Sequence, residues 1–256
     1  MSPGGDVVEA LVAQQEELRG LVAGRDDDEL ARPTRCEGWS AADVLLHLAQ
    51  TNEAAVASVA GRLGEFRLGG VGGERAADVD ELADLAVAAE REAAPTAIRD
   101  RWWASAQAQA DAFAGCEPSA RVLWVSGELA ARSLASTRLS ETWIHTVDVA
   151  SAFGVVPAPT DRLWHVARLA WRTVPYAFER AGQPLSGAVG FDLVAPDGSS
   201  WAFGLDDPAS PPATVLRGSA AALCEVAGQR ADAAATDLTA EGPDAAGVLA
   251  LVRTFA

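Results

Sequence analysis

Glu141, His145 and Asp148 stand four and then three residues apart in LSETWIHTVD, residues 139–148, and His145 is one of only three histidines in the 256-residue chain. An α-helix turns once every ~3.6 residues, so positions i, i+4 and i+7 stack on one face. A carboxylate and an imidazole one turn apart can supply two ligands to a divalent metal. A further carboxylate beyond them can accept a hydrogen bond from the ring's other nitrogen. Another histidine, His47, lies in VLLHLA, whose apolar neighbours turn it inward. Two imidazoles and one carboxylate are a donor set that catalytic zinc sites use, with a position left open for water or substrate. Spacing alone is not specific: a histidine on an apolar helix face is more often a hydrogen-bonded core residue than a ligand.

Long helices must carry these groups. Residues 7–23 read as a helix with Val8, Leu11, Val12, Leu18 and Leu21 near one side, broken by Arg25-Asp26-Asp27-Asp28 and Pro33. Ser40 suits the N-cap of the next helix, with Asp43 at N3 as in a capping box. Trp39 and Val44 can form a hydrophobic staple there, and the helix runs to about Gly61 with His47 in its second turn. Residues 62–75 are glycine-rich and read as loop. A third helical region spans about Ala76 to Ala114, interrupted near Pro95, and contains Trp102 and Trp103, which cannot both face one core. A fourth helix is expected from about Gly127 to Phe153 and a fifth from Thr160 to Ala181, which together make an antiparallel bundle.

After Gly182 the period changes. SGAVGFDLVAPDGSSWAFGL reads as two strands joined at Pro196-Asp197-Gly198, ATVLRG as a strand, AAALCEVAGQR as a helix, DLTAEG as a short strand and DAAGVLALVRTF as a closing helix. The expected fold is therefore α+β with two domains, a helical bundle over 1–182 and a small α+β domain over 183–256. No internal repeat is visible.

A net charge of −16 and a pI near 4.5 repel nucleic-acid phosphates and anionic membranes. The chain has neither an uncharged apolar run long enough to span a bilayer nor the basic, apolar start of a signal peptide, so a cytoplasmic protein is expected. Cys36, Cys116 and Cys224 are scattered and odd in number, against a disulfide framework or a thiolate zinc site. All twenty basic residues are arginine, a bias produced by GC-rich codons such as those of actinobacteria.

Two segments resemble a known family. Gly38-Trp39-Ser40, Asp43-Val44 and His47-Leu48, followed much later by Glu141, Trp143, His145 and Asp148, are similar to the paired motifs of the mycothiol-dependent maleylpyruvate isomerases, a branch of the DinB-like four-helix bundles. The C-terminal third resembles the sterol-carrier-like domain that follows the bundle in that family. The resemblance implies His47, Glu141 and His145 as ligands of a divalent metal, zinc ahead of nickel, iron or manganese. It also implies mycothiol as cosubstrate, and a thiol S-transferase or isomerase acting on a small electrophile such as an unsaturated acid. A thiol-independent metalloenzyme and a non-catalytic lipid binder are the alternatives. The expected partners are a small-molecule substrate and a low-molecular-weight thiol, with no nucleic acid or membrane, and a monomer or homodimer.

Four other positions bear on the chemistry. Asp148 either orients a ligating imidazole or pairs with an arginine near the domain junction. Arg138 either binds an anionic cofactor or substrate or pairs with a carboxylate. Arg230, in Gly228-Gln229-Arg230, resembles an arginine of the isomerase's C-terminal domain that faces the active site, and a cation there suits a carboxylate. Cys36 lies near the metal-bearing helix but reads as an inert thiol, and His165 as structural.

Overall fold

The computed structural model describes residues 3–71, 78–125 and 127–254, which fall into two compact units, Val7–Pro157 and Met1–Asp6 with Ala158–Ala256. The first unit contains α1 (Val7–Val22), α2 (Asp27–Leu30), α3 (Ala41–Val59), α4 (Val79–Glu90), α5 (Pro95–Ala114), an antiparallel hairpin of β1 (Arg121–Trp124) and β2 (Gly127–Ala130), and α6 (Ala131–Ala152). The long helices α1, α3, α5 and α6 make the bundle, with α3 packed on α5 and α6, and α1 packed on the same two.

Two apolar clusters reveal the direction of each helix. One gathers Leu18 and Val22 of α1, Leu45 and Leu48 of α3, Ile98 and Trp102 of α5, and Val149 of α6. The other takes Ala10 and Leu11, Ala55, Phe113, and Leu134 and Leu139 from the same four helices. Thus α1 and α6 run from the second cluster to the first, while α3 and α5 run the opposite way. The seams α1–α5 and α3–α6 are antiparallel, but α3 runs with α5 and α1 with α6, so the bundle expected to be antiparallel is mixed in sense. The chain between them must return along the bundle, and α4 lies on that return.

Between the clusters the interior is polar. Gln15 Nε2 donates to Gln109 Oε1 at 3.0 Å, Gln109 Nε2 to Asn52 Oδ1 at 2.9 Å, and Asn52 Nδ2 to Ser105 Oγ at 3.2 Å. Gln14 Nε2 donates to Thr146 Oγ1 at 3.1 Å. Buried amides are tolerable because each finds a partner. This corrects the stripe expected on α1: Gln14 and Gln15 are inside, whereas Val12 is 38% exposed.

The α3 start follows the expectation. Ser40 Oγ accepts from Asp43 N at 3.2 Å, Asp43 Oδ2 accepts from Ser40 N at 2.9 Å, and Arg91 Nη2 adds a 2.7 Å ion pair to the same carboxylate. The α6 start does not: Gly127–Ala130 is strand paired with Arg121–Trp124, so the helix begins only at Ala131. The glycine-rich stretch at 72–75 and the expected helix start at Ala76 lie outside the described residues. Trp102 is fully buried while Trp103 lies at the edge under the Arg19 guanidinium, 4.6 Å from its ring centre.

In the second unit, α7 (Leu163–Arg180) is followed by β3 (Val189–Val194), β4 (Ser200–Phe203), β5 (Thr214–Ser219), α8 (Ala220–Ala227), β6 (Thr239–Glu241) and α9 (Ala245–Leu251). The sheet order is β4-β3-β5-β6, with β3 and β5 parallel and the outer pairs antiparallel. Here the boundary expected near 183 moves to Pro157/Ala158, because α7 packs on α8, α9, β3 and β4. Val166, Ala170 and Val174 bury its inner face, and Trp171 Nε1 donates to the Val189 carbonyl at 2.8 Å. No helix among the described residues is long and apolar enough to cross a membrane.

Candidate metal centre

The α3–α6 seam brings His47 against Glu141 and His145. Glu141 Oε2 lies 3.7 Å from His47 Nε2 and 3.6 Å from His145 Nε2, and the two imidazole centroids are 5.0 Å apart. All three donor atoms fall within 4.8 Å of one another, the compass of a single ion. Both rings turn Nε2 toward Glu141, whose side chain keeps 21% exposure.

His145 is held from behind. Its Nδ1 lies 2.9 Å from Asp148 Oδ2, which also accepts the Cys36 thiol at 3.1 Å. Asp148 is completely buried. With Nδ1 engaged, Nε2 is the nitrogen turned toward Glu141, as in the carboxylate–histidine pairs behind metal ligands. His47 differs: its buried Nδ1 finds no hydrogen-bond partner among the described residues. The Trp39 ring lies 5.2 Å from the His47 ring, and Trp39 Nε1 donates to Asp84 of α4 at 3.0 Å. Cys36 and Trp39 are therefore neighbours of the site that sequence reasoning assigned elsewhere, to an inert thiol and a helix staple.

Burial raises the Glu141 pKa, but the His145 and His47 imidazoles beside it, with the Arg138 charge, outweigh burial and hold the carboxyl well below its usual range. Burial lowers the His145 pKa, yet Asp148, Cys36 and Glu141 together lift it well above the usual imidazole value. His47 is pushed down, chiefly by burial. In the metal-free triad these shifts favour an ionised Glu141 and a protonated His145, and a dication would compete with that proton. Two nitrogens and one carboxylate oxygen, converging in a buried seam with a fixed imidazole tautomer, fit a borderline divalent ion such as zinc.

Arg138 is 1% exposed. Its Nη2 donates to Thr51 Oγ1 at 2.8 Å and Asn52 Oδ1 at 3.3 Å, and burial draws its pKa down to about 10, so it stays charged at neutral pH. Arg230 belongs to the other unit, where its Nη1 donates to the Gly228 carbonyl at 3.0 Å beside Gln229, a residue at φ 57°. His165 Nε2 lies 3.0 Å from the Gly4 carbonyl, a structural tie within the second unit.

A four-helix bundle that sets two histidines and a carboxylate on facing helices has the architecture of metal-carrying bundle proteins. More particularly, residues 11–150 match the family model of the mycothiol maleylpyruvate isomerase N-terminal domain, and the chain belongs to that family. It is 30% identical over 258 residues to uncharacterized proteins from two strains of Mycobacterium tuberculosis, covering 100% of this chain and 97% of theirs. Its fold matches crystal structures of the mycothiol-dependent maleylpyruvate isomerase and of a histidine-to-alanine mutant of it. In each case the TM-score is 0.59 at 18% identity, over 94% of this chain and 95% of that chain.

Proposed function

We infer that this chain is a metal-dependent enzyme in which a low-molecular-weight thiol of the mycothiol type attacks a small electrophile, giving isomerisation or S-transfer. The observation that carries the reading is the convergence of His47 Nε2, Glu141 Oε2 and His145 Nε2 in the α3–α6 seam. Membership in a family named for a mycothiol-dependent isomerase supports the thiol. His47, Glu141 and His145 would hold the ion, zinc being the best match to the donor set. When bound, a divalent cation supplies Lewis acidity that lowers a thiol's pKa.

The chain's own residues do the rest. Asp148 fixes His145 with Nε2 forward, and Cys36 takes part of the same carboxylate. Trp39 packs against one flank of His47, with ring centres 5.2 Å apart. Addition of the thiolate sulfur to an alkene carbon makes a C–S bond and shifts the π electrons toward the substrate's activating carbonyl. Rotation and loss of the thiolate then give the isomer, whereas protonation of the adduct gives S-transfer. Binding and orientation supply most of what such a reaction needs.

A container for apolar lipid has less support. In the second unit, a cleft of about 510 Å³ beside α8 and α9 mixes Arg230, Asp232 and Arg253 with Val226, Leu249 and Val252, so its wall is not the continuous apolar lining a lipid would need. Metal analysis and thiol-dependent turnover on unsaturated acids, in wild type and His47→Ala, test the proposed function. Stoichiometric metal and activity that both disappear in the variant are expected. Wild-type protein that takes up no divalent metal, or a variant with unchanged turnover, overturns it.

A further inference from the structure

Arg138 joins the polar layer between the two apolar clusters through Asn52 and brings a charge to it. It precedes Glu141 by three residues on α6 and so faces the same way. Its Nη2 crosses to α3, where Thr51 Oγ1 accepts at 2.8 Å and in turn donates to the His47 carbonyl at 2.8 Å. Its second acceptor, Asn52 Oδ1 at 3.3 Å, is held by Gln109 of α5 at 2.9 Å, and Gln109 by Gln15 of α1 at 3.0 Å. Residues from the other three helices therefore fix where the guanidinium sits.

Both acceptors of Arg138 among the described residues are neutral, so no hydrogen-bonded carboxylate among them cancels its charge. Nε is buried without a partner among the described residues. The charge lies beside the site instead: Glu141 is one turn further along the same face of α6, and Thr51, which accepts from Arg138, donates to the carbonyl of His47. Tying helices together does not require a cation. A neutral side chain would avoid the desolvation cost of a buried guanidinium.

We propose that Arg138 is the electrostatic counterweight of the candidate metal centre, a buried cation that loosens the triad's hold on a dication and strengthens the hold on an anion beside it. Asn52 and Gln109 act as positioning residues for that charge. The inference rests on the proposed metal-binding role of His47, Glu141 and His145. Both effects follow from Coulomb's law in an interior where water and salt screen little, and they have opposite signs. A merely structural arginine would loosen both ligands when removed.

The test uses the full chain loaded with cobalt(II), its affinity read by chelator competition, followed by thiocyanate titration of the cobalt visible spectrum. Arg138→Met is expected to bind cobalt(II) about tenfold tighter and thiocyanate about tenfold more weakly. Arg138→Lys, which keeps the charge, stays within about threefold of wild type in both. If Arg138→Met does not fold, Asn52→Asp replaces it: a carboxylate against Nη2 neutralises the cation in place and moves both affinities in those same directions. Looser cobalt binding, or two affinities that move together, in whichever of these variants folds, overturns the inference. Wild-type protein that binds no cobalt(II) overturns the proposed function itself, whereas normal wild-type binding unchanged by Arg138→Met or Asn52→Asp overturns only this inference.

Discussion

The two helices that meet at the candidate centre contribute in different ways. On α6, Glu141, His145 and the buttress Asp148 lie within eight consecutive residues, so the helix alone sets most of their mutual geometry. On α3, His47 stands by itself, its Nδ1 without an acceptor, and its place depends on the α3 cap, on Trp39 and on the reach of Trp39 to Asp84. One half of the site is preorganised by local structure, the other by packing. A binding site can thus be assembled from a rigid cassette and a separately docked partner.

That contrast can be broken most directly by removing ligands. Glu141→Ala and His145→Ala are each expected to abolish stoichiometric metal binding, and His47→Ala to do the same or leave weak residual binding from the α6 pair, read by metal analysis after dialysis. Equal retention of metal by all three would end the division. Asp148→Asn comes next, with a loss of metal affinity of about 10- to 100-fold, because the buttress fixes the His145 tautomer. A change below about twofold would mean that α6 is not the preorganised half.

Protons sharpen the same point. The His145 pKa is raised in the folded, metal-free protein, so its proton stabilises the fold below the ordinary imidazole range, and that stability is lost as the pH rises through the raised value. Thermal melts of metal-free protein are expected to show this loss in wild type and to lack it in Asp148→Asn, whose His145 loses its main support. Smaller still is Asp43→Asn, which weakens the α3 cap and its pairing with Arg91 by about 1 kcal/mol in denaturant unfolding, without changing ligands. Cys36→Ser is expected to have the least effect, a few-fold in metal affinity, since a hydroxyl can still donate to Asp148.

The contrast also explains what was legible in the sequence. Glu141, His145 and Asp148 declare themselves by period, and His47 required a second motif. The α+β unit was readable almost strand by strand because Pro196-Asp197-Gly198 and the alternation in WAF are local signals. Cys36 was not, since its contact with Asp148 joins positions 112 residues apart. Gln14, Gln15, Asn52 and Gln109 resemble surface residues, and nothing local indicates that four helices would bury them together. The strand at Gly127–Ala130 was read as helix because its short apolar–polar run has no period of its own, and pairing with β1 decided it. The boundary near 183 was misplaced for a similar reason: an amphipathic helix does not state which core its apolar face will join.

The buried amides joining Gln15, Gln109 and Asn52 have a consequence for assembly as well. Apolar side chains forgive sliding, because a leucine meets another leucine one turn along with little loss. Hydrogen-bonded amides do not, since moving any helix by one turn, about 5.4 Å, would leave buried donors and acceptors unmet. The layer, which reaches α6 through the Gln14–Thr146 and Arg138–Asn52 hydrogen bonds, therefore acts as a register pin: it gives up some stability to select one alignment of the four helices, the alignment in which His47 stands opposite Glu141.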